Sequence, residues 1–113
     1  MGTIPLLLAP NLSERAFQRE VLRYAKQRGW KAFHASRAQY KGGQWLTPYG
    51  GDGKGFPDLL LRGTRLVIAE LKAQAGTLRK EQRDWLHAFQ QLPCAEVYLW
   101  RPSDWHTILQ ILE

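Results

Sequence analysis

The chain is 113 residues long, 44% hydrophobic and 12% aromatic with five Trp, which suits one packed domain over 1–113 and argues against a disordered chain. Its formal charge of +6 points to an acidic partner, nucleic acid first and an anionic membrane second, with a merely basic surface as the plain alternative. The single cysteine, Cys94, excludes an internal disulfide framework and a multi-thiolate zinc site, and fits a reducing cytoplasm.

Residues 2–10 are apolar but carry Pro5 and Pro10, so they read as an extended lead-in, an edge strand or a dimer contact. The run Leu6-Leu7-Leu8-Ala9 is too short to span a membrane and has no basic residue before it, so neither a span nor a signal peptide is expected. Asn11 opens a helix with Glu14 as its capping-box partner, Ser13 being the other cap candidate. The helix runs to about Arg28 and stops at Gly29. At about 100° per residue, Phe17, Val21 and Ala25 form one stripe. Glu14 and Gln18 fall inside it, and Arg15, Arg19, Arg23 and Lys26 gather on another face. Glu14 and Gln18 should therefore face whatever the helix packs on. For Glu14 the bland alternative is a first-turn carboxylate favoured by the helix dipole.

Trp30 to Ala35 alternates as a strand does, and its lone His34 reads as a structural residue. From Arg37 to Gly55 the chain carries six glycines among Tyr40, Lys41, Trp45, Tyr49 and Lys54. A long loop of this composition suits contact with nucleic-acid backbone and unstacked bases, which makes Arg37, Lys41, Trp45 and Lys54 candidates for DNA contact, with Gln18 beside them. A plain excursion with a few buried aromatics is the competing reading. The Gly50–Gly55 run lacks the spacing and the Ser/Thr of a phosphate loop.

Two apolar strands follow, Asp58 to Leu61 and Leu66 to Lys72, joined by a hairpin signal at Arg62-Gly63-Thr64-Arg65. Ala73 to Thr77 connects to a helix from about Arg79 to Leu92, ended by Pro93. Its apolar stripe is Trp85, Leu86 and Phe89, with Gln82 in the middle, either aimed at a site or bonded to backbone. Ala95 to Trp100 is a fourth strand, stopped by Pro102. Ser103 is expected to cap a last helix with Trp105, Ile108, Leu109 and Leu112 on one face. His87 and His106 have no metal-ligand partner at useful spacing. The expected fold is α/β (α+β): a mixed sheet of about four strands flanked by helices in the order α-β-β-β-α-β-α.

Asp58, Glu70 and Lys72 are the constellation with a reaction attached, because charge inside an apolar strand is costly unless it binds something. Two carboxylates suit a hard cation such as Mg²⁺, and Lys72 projects from the same strand face as Glu70. Backbone groups of Leu71 could complete the metal shell, and Glu14 could add a carboxylate through water or to a second ion. One geometric condition follows. A two-residue Gly63-Thr64 loop would pair Asp58 with Ala69 and send the two carboxylates to opposite faces. A three-residue loop, or a distortion near Pro57, is required.

Pro57-Asp58 followed by Glu70-Leu71-Lys72 resembles the PD-(D/E)xK nuclease signature. Ser13-Glu14, Phe17-Gln18, Gly29-Trp30, His34, Gly55-x-Pro57-Asp58-Leu59, and Leu78 followed by Gln82-x-x-Trp85 extend the resemblance to the VRR-NUC (virus-type replication-repair nuclease) family over roughly residues 11–101. That resemblance implies a restriction-endonuclease-like core and Mg²⁺- or Mn²⁺-dependent phosphodiester hydrolysis. Asp58 and Glu70 would be metal ligands, Lys72 the catalytic lysine, Glu14 a helix carboxylate near the metal and Gln82 a glutamine facing the site. Stand-alone phage and bacterial members resemble Holliday-junction resolvases, which implies a homodimer acting on branched DNA. Alternatives are a nicking or flap nuclease, or a non-catalytic DNA-binding module on the same fold. The enlarged 37–55 loop departs from the family pattern.

Overall fold

A computed structural model gives the fold and describes residues 3–35 and 50–113, together with the backbone of 38–39 and 45–46. The elements in order are α1 (Glu14–Gln27), β1 (Lys31–His34), β2 (Ala38–Gln39), β3 (Trp45–Leu46), β4 (Leu59–Arg62), β5 (Leu66–Leu71), α2 (Lys80–Gln90), β6 (Ala95–Trp100), a 3₁₀ turn (Pro102–Asp104) and α3 (Trp105–Leu112). The main sheet has four strands in the order β1-β4-β5-β6, antiparallel except for the parallel pair β5–β6 that α2 connects. This is the mixed α+β architecture expected, with helices and strands in the expected order. The difference is a two-residue antiparallel ribbon, β2–β3, inside the segment expected to be loop.

Alternation along the strands sorts the residues by face. Leu59, Leu61, Val67, Ala69 and Leu71 form the principal core with Phe17, Val21 and Ala25 of α1 and Trp105, Ile108 and Leu112 of α3. Burying each of the Leu, Val, Ile and Phe side chains fully is worth about 1.5–3 kcal/mol. Ile68 and Leu86 are buried outside that core, where α2 packs against β5 and β6. The lead-in forms no strand over residues 3–10. Ile4 and Leu8 pack on the core and Pro5 O accepts from Trp105 Nε1 at 2.8 Å, while Leu6 and Leu7 are exposed.

Two caps differ from expectation. Ser13, not Asn11, is the N-cap of α1: its Oγ accepts from Ala16 N at 3.1 Å. Glu14 is therefore the first helical residue rather than a capping-box partner, which leaves its carboxylate available to other elements. At α3 the cap is Asp104, because Pro102 starts a 3₁₀ turn that Asp104 closes by accepting from Arg101 N at 2.8 Å. Ser103 bonds Gln74 instead. At the other end of α1, Gly29 has φ +87, the left-handed conformation that glycine adopts without steric cost.

Candidate active site

The β4–β5 register decides whether the two carboxylates meet. Leu59 pairs with Ala69 and Arg62 with Leu66, leaving Gly63-Thr64-Arg65 as a three-residue loop. One step beyond Leu59–Ala69, Asp58 stands opposite Glu70. The two are cross-linked: Asp58 N donates to Glu70 Oε1 at 3.2 Å, and Leu71 N donates to Asp58 Oδ2 at 2.9 Å. The odd loop required by the sequence argument is the one that forms.

Gly55 and Pro57 deliver Asp58 to that position. Pro57 is buried, and Gly55 has φ +82 with its α-carbon pressed against the first turn of α2. A β-carbon there would lie 2.6 Å from both the carbonyl carbon and Cβ of Glu81. The chain therefore enters β4 wedged under the helix, and only glycine fits.

Glu70 is 0% exposed, and its Oε2 has no hydrogen-bond partner. Burial, then the hydrogen bond and charge of Asp58, push its carboxyl up to about 9, with Lys72 opposing in part. A buried carboxylate facing another carboxylate, with an orphaned oxygen, is the arrangement a divalent cation would relieve. The residues therefore fit a hard ion held by Asp58 and Glu70. Among the described residues no group of three or more His, Cys, Asp or Glu converges. An ion here would take further oxygens from backbone, water or substrate.

Lys72 is 7% exposed and its amide continues the parallel ladder, donating to Trp100 O at 3.0 Å. Its Nζ lies 3.9 Å from Glu14 Oε1, so α1 reaches the site through Lys72. Gln18, one turn on, places Nε2 3.2 Å from Nδ1 of His34 and thereby ties α1 to β1. Gln82 is buried, as its wheel position implied, and its Oε1 accepts from Arg79 N at 2.8 Å, capping α2. Lys54 lies 3.9 Å from Glu81, beside α2. Arg37, Lys41 and the Trp45 side chain lie outside the described residues.

Arg101 is a participant that sequence reasoning missed. Its Nη1 donates to the carbonyls of Gly76 at 2.6 Å, Ala73 at 2.9 Å and Gln74 at 3.4 Å. The loop it gathers follows Lys72 directly, and the Gly76 α-carbon packs near Lys72 Cδ. An arginine just past a strand end gives no local signal of the loop it will meet. The His34–Gln18 bond was equally hidden, since sixteen residues separate the partners.

Comparison with protein-family models, with curated proteins and with solved structures finds no match to this chain. Among the described residues, no helix is long and apolar enough to cross a membrane.

Proposed function

We propose that this chain is a metal-dependent endodeoxyribonuclease of the VRR-NUC type, with Asp58, Glu70 and Lys72 as its catalytic residues. The observation that carries the reading is the acid pair of half-buried Asp58 and fully buried Glu70, with Glu70 Oε2 unpartnered and Lys72 two residues further on. Stability alone would not favour a carboxylate buried beside another, because uncompensated burial of charge costs several kcal/mol. Asp58 and Glu70 would hold Mg²⁺ or Mn²⁺, which when bound supplies a polarised phosphoryl oxygen and an acidified water. Lys72, whose charge acts on the Glu70 carboxyl, would orient the attacking water and offset the negative charge that grows on the phosphate. Lys72 is buried, so little ordering of its side chain remains to be done at the moment of reaction. Glu14 Oε1, 3.9 Å from Nζ, gives that ammonium an anionic neighbour on α1. Branched DNA as substrate, a homodimer and a cytoplasmic location complete the proposal, the first two on the resemblance and the last on the lone cysteine.

The test is cleavage of supercoiled plasmid, a four-way junction, a flap and plain duplex with Mg²⁺, comparing wild type with Lys72→Ala. Cutting by wild type that falls at least a hundredfold in the variant supports the reading, on the scale of losing one preorganised electrostatic group. Equal cutting by both proteins removes it.

A further inference from the structure

We infer that the exposed ridge of α1 formed by Arg15, Arg19 and Lys26 is a track for the phosphate backbone of a DNA duplex arm leading away from the acid pair. The inference rests on the nuclease reading for the identity of the polyanion, but concerns binding rather than cleavage.

All three side chains are exposed. At 100° per residue they fall within about 40° of one another on the helix. Arg23 continues the same ridge. Most acids elsewhere are matched by a base: Glu96 by Arg65, Asp84 by Lys80, Glu81 by Lys54 and Glu20 by Arg23. Among the described residues, Arg15, Arg19 and Lys26 have no ion pair. An ordinary solvent-facing helix would interleave signs at i,i+4, where opposite charges stabilise. Arg15, Arg19 and Arg23 instead repeat one sign at that spacing, a choice that costs about 0.2–0.5 kcal/mol per pair. A polyanion lying along the ridge offsets that repulsion.

The ridge also starts in the right place. Arg15 follows Glu14, whose carboxylate is at Lys72, so the track begins at the rim of the site. Gln18, which faces β1 through His34, sets the ridge on the edge-strand side of the helix. From Arg15 to Lys26 the helix rises about 16 Å, a length over which one strand of duplex presents about five phosphates.

The experiment measures DNA affinity of the full chain carrying Lys72→Ala in Mg²⁺-free buffer, by fluorescence anisotropy of a labelled duplex across a salt series. Adding Arg15→Gln, Arg19→Gln and Lys26→Gln together should flatten the slope of log K against log salt by about 2.7, at 0.9 per phosphate contact. The same variant should melt no lower than its parent, because it removes repulsion and no packing. A control with Lys31→Gln, Arg62→Gln and Arg83→Gln should keep most of the slope. An unchanged slope in the ridge variant, or an equal loss in the control, overturns the inference. So does binding to anionic phosphatidylserine vesicles without binding to DNA. A wild-type protein that binds DNA through the ridge yet cleaves nothing would instead refute the nuclease reading and leave the track standing.

Discussion

Asp58 and Glu70 hold each other through crossed bonds, each carboxylate accepting from the other strand: Asp58 N to Glu70 Oε1 at 3.2 Å and Leu71 N to Asp58 Oδ2 at 2.9 Å. The backbone thus fixes both side chains before any ligand arrives. What it leaves over is Glu70 Oε2, buried and unpartnered.

That oxygen makes stability depend on pH. The Glu70 carboxyl rises from its ordinary 4.5 to about 9, through burial and then the hydrogen bond and charge of Asp58. Between those values the folded protein keeps a proton that the unfolded chain has lost. The stability present below 4.5 is therefore lost as pH climbs toward 9, by up to about 1.4 kcal/mol per pH unit. Thermal melts of metal-free protein across this range should show a falling Tm, and Mn²⁺ should restore more of it at high pH. A Tm independent of pH would contradict the assignment.

Glu70→Gln separates stability from function. The amide keeps an acceptor for Asp58 N and supplies a donor toward Asp58 while removing the cost of holding a proton that the unfolded chain has lost. Metal-free protein should gain about 1–3 kcal/mol at pH 8 and lose its Tm response to Mn²⁺. Denaturant titration at pH 8 measures the first effect and thermal melts with and without Mn²⁺ the second.

Gly55→Ala should be severe for a residue with so small a change. It combines φ +82 with a β-carbon 2.6 Å from the backbone of Glu81, so α2 must move or β4 must enter differently. A loss of about 2 kcal/mol or more is expected in chemical denaturation. Gly51→Ala also sits at positive φ but meets nothing within 4 Å. It should cost about 1 kcal/mol, the strain alone.

Arg101→Met removes the donor shared by three carbonyls after Lys72. About 1.5–3 kcal/mol of stability should go with it. If the proposed nuclease activity holds, Arg101→Met, by loosening the loop after Lys72, should also lower the cleavage rate at temperatures where circular dichroism reports a folded chain. Arg101→Lys, keeping the charge without the guanidinium fork, should recover part of both. A rate that tracks only the folded fraction would leave Arg101 a purely structural clamp.

The sequence by itself determined the elements and their faces. Period and breakers placed α1, β4, β5, α2, β6 and α3, and the wheel of α1 put Phe17, Val21 and Ala25 inward, because helix and strand geometry repeat over a few residues. It also singled out Asp58, Glu70 and Lys72, since charge in an apolar strand stands out locally, and it stated the loop parity that the pair needs. Tertiary structure decided what depends on residues far apart in the chain. It chose the three-residue loop over the two-residue one, and it moved the α1 cap from Asn11 to Ser13, sending Glu14 toward Lys72. It turned Gln82 back onto its own helix and brought Arg101 to the loop after Lys72. Register, caps and loop clamps are settled by which groups remain unsatisfied after the sheet has closed, and no local spacing records that.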